Sequence, residues 1–434
     1  MNSTTDRPTA CNKPQPCPRS LSAVERYCIV DSHLDIQDKE PNMKQTVDPS
    51  LAFSLIRDDL PFRLQRRVGL IPEQGLGIMR RVVFFIVLTW LPIVIWALLT
   101  GRILPGTVDD PLLRHFGVHV RFLLAVPLFI AGEGIAHQTS TMLIPYFLSS
   151  GLVPAAQKQN FAGIIGDLTR LRDSPLPWLA IIALIVIWTA LDTAAGGFEF
   201  EHEVNWAAIG DHLGFGGWWF IYVSRPVFVA FLAAWLWRLF LIFVLLKRIA
   251  RLDLDIVPTH PDSAGGLGFL EHLPKAFSLF AFAVSAVLSS RLAHQVLYHG
   301  ADVQSLKTLL TVFLIALIGI CLTPLLMFFR PLVIARRRAL LEYGILVGDH
   351  GRLVRRRWIL GETEVDDSIL QAPELGPVAD TLSLYQAVRK MRLIPIGKTS
   401  LLAVAIPALI PIIALFSIQI PIKDVLMRII ATLL

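Results

Sequence analysis

Residues 217–246 read GWWFIYVSRPVFVAFLAAWLWRLFLIFVLL, and in this run only Arg225 and Arg238 carry a charge. A hydrophobic helix of about 20 residues is long enough to cross the ~30 Å hydrocarbon core of a bilayer. Because this run is longer than that, it predicts a membrane-spanning helix that tilts or projects beyond the bilayer.

Six other stretches share this length and apolar character. Together they predict an all-α, polytopic helical membrane protein with about seven transmembrane helices. Pro407 and Pro411 lie inside the last stretch, and proline disrupts a helix interior. A re-entrant hairpin there, with six spans in total, is therefore the alternative. The predicted spans are 82–100, 121–137, 176–195, 217–246, 276–297, 307–331 and 400–420.

The composition of the whole chain agrees with this class. Of its 434 residues, 54% are hydrophobic and only 17% are charged, and the mean hydropathy is +0.59. Soluble domains are typically about 25% charged. This composition excludes a soluble globule and a disordered chain, because both contain less apolar sequence. It also excludes a small disulfide-rich scaffold, which needs more cysteine.

The basic residues determine the predicted orientation. The chain has 40 Lys and Arg against 34 Asp and Glu, a net charge of +6, and Lys and Arg are retained on the cytoplasmic side of a membrane. Loops 198–216 and 298–306 contain neither. We therefore expect a bacterial cytoplasmic (inner) membrane protein with a cytoplasmic N-terminus and a periplasmic C-terminus. The basic clusters are Arg63, Arg66, Arg67, Arg80 and Arg81, then Lys247, Arg248 and Arg251, then Arg336, Arg337, Arg338, Arg355, Arg356 and Arg357.

The N-terminal 50 residues differ in character from the rest of the chain. Residues 1–50 are rich in Pro, Ser, Thr and charge and have no apolar period, which predicts a disordered tail. Met43 precedes a basic and amphipathic segment. We therefore interpret residues 1–42 as a start-site overcall or a dispensable tail.

The remaining residues, 51–434, form the predicted transmembrane domain. Apolar residues at mixed spacings of three and four lie among arginines within 51–81, which indicates a helix lying on the cytoplasmic membrane surface. An amphipathic C-terminal helix is expected at 421–434, where Pro421 occupies the first turn. The predicted cytoplasmic segments are 138–174, 248–275 and 332–399.

Three stretches resemble a group of uncharacterised bacterial polytopic inner-membrane proteins. They are LPFRLQRRVGL at 60–70, HPDSAGGLGF at 260–269 and MRLIP at 391–395. The similarity extends over most of the chain from about residue 50 onward. It implies a shared architecture and no particular activity.

Ionisable side chains inside the predicted spans form the first candidate site. A charge at bilayer depth costs at least about 2.5–3.5 kcal/mol, so it normally faces a partner or a cavity. We expect Glu133 to pair with Arg238, and Asp192 to pair with Arg225 or Arg291. Such layers of opposite charge suit a proton or ion path, and equally a structural pairing that fixes helix register. The candidates are Glu133, His137, Asp192, Arg225, Arg238, Arg291 and His294.

The loop between the fourth and fifth spans is the second candidate. Carboxylates and imidazoles at this density can coordinate a divalent cation, and glycine-rich backbone can bind a phosphate. Alternatively, Asp262 caps a helix and the glycines let backbones pack closely. No cofactor is predicted beyond such a cation. The candidates are Asp253, Asp255, His260, Asp262, Gly265, Gly266 and His272.

Two further charged regions have simpler interpretations. The acidic loop 198–216 is interpreted as a solvated rim, with the gathering of a cation as the alternative. The basic face at 336–338 and 352–357, next to Trp358, predicts contact with anionic lipid headgroups, which explains it without nucleic acid. The acidic loop contains Glu199, Glu201, His202, Glu203, Asp211 and His212.

The sequence contains no nucleophile elbow, zinc-protease, kinase or Walker motif, so no catalytic residue is predicted.

The first hypothesis for the function is a small-solute or ion transporter or channel, which requires a polar cavity lined by Glu133, Arg225 and Arg238. The second is a membrane scaffold or sensor that presents a cytoplasmic platform to a protein partner, which requires a dry bundle. The third is a lipid-modifying enzyme, which requires a membrane-level cleft joined to His260 and Asp262. The sequence is also compatible with a homo-oligomer.

Overall fold

The structure is a computed structural model, and it describes residues 53–57, 59–73, 75–104, 111–194, 204–209, 212–298, 300, 302–362 and 378–418. The predicted tail 1–50, the predicted C-terminal helix 421–434 and residues 198–203, 210 and 211 of the acidic loop lie outside the described residues. Within the described part, seven helical segments are long and apolar enough to cross a membrane, so the chain is an all-α, multi-pass membrane protein. The seven are Ile78–Leu99, Phe116–Ser149, Ala155–Leu191, Phe215–Ile249, Gly268–Tyr298, Gln304–Arg357 and Lys398–Ser417.

Several of these segments consist of more than one helix, with short 3-10 or π-helical turns between them. A small antiparallel pairing of β1 (Ala208–Ile209) with β2 (His212–Leu213) precedes the fourth span. The α-helices are α1 (Leu60–Arg67), α2 (Ile78–Thr89), α3 (Leu91–Leu99), α4 (Phe116–His119), α5 (Val126–Ser149), α6 (Lys158–Asp173), α7 (Leu176–Ala194), α8 (Phe215–Trp219), α9 (Arg225–Ile249), α10 (Ser278–Tyr298), α11 (Val303–Leu322), α12 (Phe329–Val354), α13 (Val378–Lys390) and α14 (Lys398–Ser417).

Helices α5 and α9 meet at the centre of the bundle. Trp235 of α9 is fully buried, and its indole N–H donates to the carbonyl oxygen of Phe129 on α5 at 3.2 Å. A Cβ atom at Gly132 would lie 2.8 Å from the Trp235 ring. The glycine therefore permits the close approach of these two helices. The ring of Phe280 on α10 also packs against Trp235, with the two ring centroids 5.7 Å apart.

The second and fourth spans share an interruption. A π-helical turn at Val120–Ala125 precedes Pro127, and another at Phe220–Ser224 precedes Pro226. Proline lacks an N–H, and its ring clashes with the carbonyl four residues earlier. A π turn accommodates this clash without ending the helix, and such turns occur frequently at functional sites.

The seventh predicted span is one continuous helix, which favours seven spans over the six-span alternative. Helix α14 is continuous from Lys398 to Ser417 although Pro407 and Pro411 lie inside it. It packs against α10, where the Ser285 hydroxyl donates to the carbonyl oxygen of Ala408 at 2.6 Å. This contact lies beside Pro407, so the proline-containing part of α14 is packed against a neighbouring helix.

The segment before the first span, residues 53–57 and 59–67, packs into the bundle; we call it the leading segment. Phe53 and Ile56 are buried, and the Arg172 guanidinium on α6 donates to the carbonyl oxygen of Ser54. The predicted surface helix within 51–81 is thus a short helix, α1, that buries Phe62 against the protein.

The third span lies at the periphery of the bundle. Only 6% of its apolar window is buried, the lowest share among the seven spans. Its apolar helix, α7, packs mainly against α9. The second and sixth spans extend further than predicted, because α5 continues to Ser149 and α12 carries the sixth span on to residue 357.

Candidate functional site

Four buried charged side chains meet where the leading segment joins the bundle. Glu133 accepts from Arg81 at 2.5 Å and from Arg238 at 2.9 Å, and Asp59 accepts from Arg238 at 3.2 Å. None of the four side chains is more than 4% exposed. We call Asp59, Arg81, Glu133 and Arg238 the charge cluster; its formal charges sum to zero.

Each member of the cluster comes from a different element. Glu133 lies on α5 and Arg238 on α9, while Arg81 lies in the first turn of α2. Asp59 is the N-cap of α1, where its carboxylate accepts from the Phe62 N–H at 2.8 Å. The cluster therefore joins the leading segment to three spans.

The sequence correctly predicted one of these contacts. The pairing of Glu133 with Arg238, expected from their common depth, is present. Arg81 was assigned only to the basic cluster that determines the orientation, and Asp59 was not singled out. An N-cap pattern, aspartate followed by Leu60 and Pro61, was available as a signal for Asp59, but it does not indicate an ion pair.

Burial and the positive charge of Arg238 shift the pKa of Asp59 in opposite directions. Burial in the protein raises the pKa of this carboxyl above its ordinary value, and it outweighs the attraction of Arg238. The neighbouring Glu133 carboxylate also raises it, because two negative charges disfavour each other. Asp59, which lies outside the spans, therefore binds a proton more readily than an ordinary aspartate does.

A cavity of about 140 Å³ adjoins the charge cluster. Two donor nitrogens of Arg238, Nε and Nη1, and the indole nitrogen of Trp178 have no hydrogen-bond partner among the described residues. Both residues are at least 95% buried. Buried donors without partners are costly and uncommon. The lining residues are Asp59, Pro61, Phe62, Gln65, Arg81, Phe85, Glu133, Trp178, Val227, Ala230, Phe231, Ala234 and Arg238.

A second, apolar groove of about 640 Å³ lies between α7 and α9. It shares Val227 and Ala230 with the cavity. The hydroxyl of Thr189 donates to the carbonyl oxygen of Ile185 within α7, which leaves the groove largely apolar. The lining residues are Ile182, Ile185, Val186, Thr189, Ala190, Tyr222, Pro226, Val227 and Ala230.

The other predicted intramembrane residues lie apart from the cluster. His137 is one turn beyond Glu133, and its Nδ1 lies 2.7 Å from the Ser54 hydroxyl. His294 stacks on His115 at 5.1 Å. Arg225 begins α9 and Arg291 is exposed on α10; neither lines the cavity. The Asp192 side chain lies outside the described part, so its expected pairing stays a prediction.

The loop after the fourth span is organised around Asp262. Its carboxylate accepts from the backbone N–H groups of Ala264, Gly266 and Gly268 at 2.7, 3.2 and 2.7 Å, and His260 Nδ1 lies 2.9 Å away. Partial burial opposes ionisation, but these donors hold the pKa of Asp262 below its ordinary value.

The remaining loop candidates do not gather around Asp262. Asp253 and Asp255 line a separate cavity of about 760 Å³ beside α12, and His272 is exposed. Gly265 and Gly266 have positive φ angles of 68° and 93°, which glycine adopts without strain. No group of three His, Cys, Asp or Glu that could hold a metal ion occurs in the part of the chain that the structure describes. This geometry favours the structural interpretation of the loop.

Comparison of the chain with protein-family models, with curated proteins and with solved structures finds no match.

Proposed function

We propose that this membrane protein is a transporter that binds an acceptor-bearing small solute, such as an anion, in the cavity beside the charge cluster. The observation that carries the proposal is the set of unpartnered N–H donors on Arg238 and Trp178. A guanidinium cannot lose its proton in a protein, so its free N–H groups have lasting affinity for an oxygen acceptor. A solute that supplies such oxygens would satisfy three donors at once.

Charge balance gives the cluster a second role, in proton coupling. Two arginines and two carboxylates are neutral together, so an incoming anion leaves the site with one uncompensated negative charge. Uptake of a proton by Asp59 or Glu133 restores neutrality, and burial already favours protonated Asp59. We therefore expect the anion and a proton to move together.

Two alternatives fit the geometry less well. A scaffold or sensor was expected to have a dry bundle, whereas a cavity with unpartnered donors adjoins Arg238. A lipid-modifying enzyme was expected to have a cleft joined to His260 and Asp262, and neither residue lines the cavity. The exposed apolar Leu341 and Ile345 on α12 keep the scaffold as the second candidate.

We further propose that the charge cluster lies near the cytoplasmic side of a bacterial inner membrane. The leading segment, the end of α9 and helix α12 carry most of the basic residues that adjoin the spans, and Lys and Arg are retained on the cytoplasmic side. The same basic residues are expected to contact anionic lipid headgroups. A solute would thus reach the cluster after passing most of the bilayer thickness.

Glu133→Gln tests the transport proposal. Proteoliposomes that enclose a pH-sensitive dye are given gradients of inorganic phosphate, gluconate or dodecyl phosphate. We expect at least one anion to drive proton movement by the wild type. The variant should lose at least about 90% of that movement, because the cluster without the Glu133 charge is positive and an incoming anion then needs no accompanying proton. Glu342→Gln, at an exposed surface pair on α12, is the matched control and should behave as the wild type.

Circular dichroism and thermal unfolding establish whether the Glu133→Gln protein keeps its fold. Gln has the size and one carbonyl oxygen of Glu, so a folded but inactive protein is expected. If the folded wild type moves no proton with any of the three anions, or the folded variant moves them equally well, the transport proposal is wrong.

A further inference from the structure

We infer that the ligand of the cavity is a membrane amphiphile with one alkyl chain and a small acceptor-rich head group, a phosphate or a carboxylate. The head group occupies the cavity beside Arg238 and Trp178, and the alkyl chain lies in the groove between α7 and α9. This inference rests on the proposed function because it names the substrate class of the same site. It adds a route, in which the ligand reaches the site sideways from the bilayer.

The cavity and the groove share part of their lining. Val227 and Ala230, one turn apart on α9, line both the cavity beside the charge cluster and the apolar groove. A ligand with one polar end and one apolar end is the kind of molecule that fills both spaces together. A free inorganic anion would occupy only the cavity and would leave the groove without a role.

The cavity limits the head group by size and by chemistry. A volume of about 140 Å³ is well below the roughly 300–1,000 Å³ of pockets that hold whole drug-sized ligands. Among the described residues that line the cavity, the buried side-chain atoms without a hydrogen-bond partner are all N–H donors, on Arg238 and Trp178. A compact group with several acceptor oxygens satisfies both conditions, whereas a sugar head group exceeds the space.

The groove has the composition of a site for an alkyl chain. On α7 its lining residues are spaced three and four apart, from Ile182 to Ala190, so they form one face of the helix. On the fourth span, Tyr222 in the π-helical turn and Pro226 and Ala230 on α9 follow one another at intervals of four. Ala190 and Ala230 are small, and they widen the space between the two helices.

The position of α7 provides the lateral route. This helix belongs to the least buried span and packs mainly against α9. Ile182 and Val186, which line the groove, are 54% and 60% exposed, so the groove borders the region that lipid would fill. Lipid tails are as apolar as these side chains, so the chain adds little net affinity and the head group decides binding.

Photolabelling in bilayers tests the inference on the full chain. The probe is dodecyl phosphate with a diazirine at the end of its alkyl chain, and mass spectrometry locates the labelled peptides. We expect labels within 182–190 and 222–230. Excess unlabelled dodecyl phosphate should remove them, and dodecyl maltoside, which has the same chain and a sugar head group, should not.

Trp178→Phe tests the head-group site, because it removes the indole N–H and keeps an aromatic ring. Loss of one hydrogen bond to a charged acceptor should weaken labelling about tenfold. Leu184→Ala is the matched control, since Leu184 is exposed on α7 outside the groove and should label as the wild type. Competition on the wild type decides the question if either variant fails to fold.

The outcomes separate this inference from the proposed function. The inference is overturned if the labels are spread evenly over exposed helices such as α11. It is also overturned if dodecyl maltoside removes the labels as well as dodecyl phosphate does. Transport of inorganic phosphate without labelling of the groove also overturns it and leaves the transporter intact. Groove labelling that dodecyl phosphate alone removes, without any anion-driven proton movement, supports the amphiphile site and contradicts transport.

Discussion

At the scale of residues, the charge cluster is arranged so that only one nitrogen of Arg238 is used. Asp59 and Glu133 both accept from Nη2, and Nε and Nη1 stay unpartnered among the described residues. A buried guanidinium with two carboxylates beside it is stabilised in its charged form, yet it retains donors for a ligand. The stability of the cluster and its capacity to bind thus depend on the same side chain.

The two roles of Asp59 can be separated by substitution. Asp59→Asn keeps an oxygen for the Phe62 N–H and removes the charge, while Asp59→Ala removes both. Breaking a buried ion pair costs about 3–5 kcal/mol, and loss of an N-cap costs about 1 kcal/mol. We therefore expect the free energy of unfolding in mixed micelles to fall by about 3 kcal/mol for Asn and by about 1 kcal/mol more for Ala.

Asp349→Asn is the control for this comparison, because Asp349 pairs with Arg352 on the exposed side of α12. Exposed pairs contribute about 0–1 kcal/mol, so this change should leave the unfolding free energy nearly unaltered. An Asp59→Asn protein as stable as the wild type would mean that Arg238 does not depend on Asp59.

At the scale of elements, the approach of α5 to α9 positions the cluster. Glu133 follows Gly132 directly, and Gly132 is where the Trp235 ring contacts the α5 backbone. A larger side chain at residue 132 would push the helices apart and separate Glu133 from Arg238, three residues beyond Trp235. The packing glycine and the ion pair are therefore coupled.

Gly132→Ala should destabilise the protein by about 1–3 kcal/mol, the usual cost of overpacking a core. The control is Gly163→Ala in the exposed part of α6, where nothing lies within 4 Å of the added atom. There alanine should stabilise by up to about 1 kcal/mol, because it favours helix more than glycine does. Unfolding midpoints measure both changes, and equal shifts of the two variants would contradict close packing at Gly132.

At the scale of the whole molecule, an odd number of spans places the termini on opposite sides of the membrane. Seven segments of sufficient length and hydropathy occur in the described residues, and α14 shows no break at Pro407 or Pro411. With the basic residues on the cytoplasmic side, the N-terminus is cytoplasmic and the C-terminus periplasmic in the proposed topology.

Reporter fusions to the full chain measure this topology. A green fluorescent protein at the N-terminus should fluoresce, since it folds in the bacterial cytoplasm. An alkaline phosphatase after Leu434 should be active, since it requires the periplasm to form its disulfides. A fluorescent N-terminal fusion together with an inactive phosphatase at the C-terminus would instead support six crossings.

The location of the spans could be read from the sequence because hydropathy is a local property. All seven predicted spans overlap helices of the structure, and Glu133 and Arg238 were recognised because a charge in an apolar run is conspicuous. Asp59 and Arg81 were not recognised as partners, because they lie where charged residues are ordinary, before and at the start of a span. Nothing in their immediate sequence marks them as buried.

The sequence alone determined the class, the number of spans and the intramembrane charges, since each follows from the cost of placing polar groups in hydrocarbon. The tertiary structure decided which side chains meet. Asp59 and Arg238 are 179 positions apart, and a membrane helix is apolar both where it faces lipid and where it faces another helix, so periodicity does not show which side packs inward. The cavity and the groove exist only between helices, and no single helix encodes them.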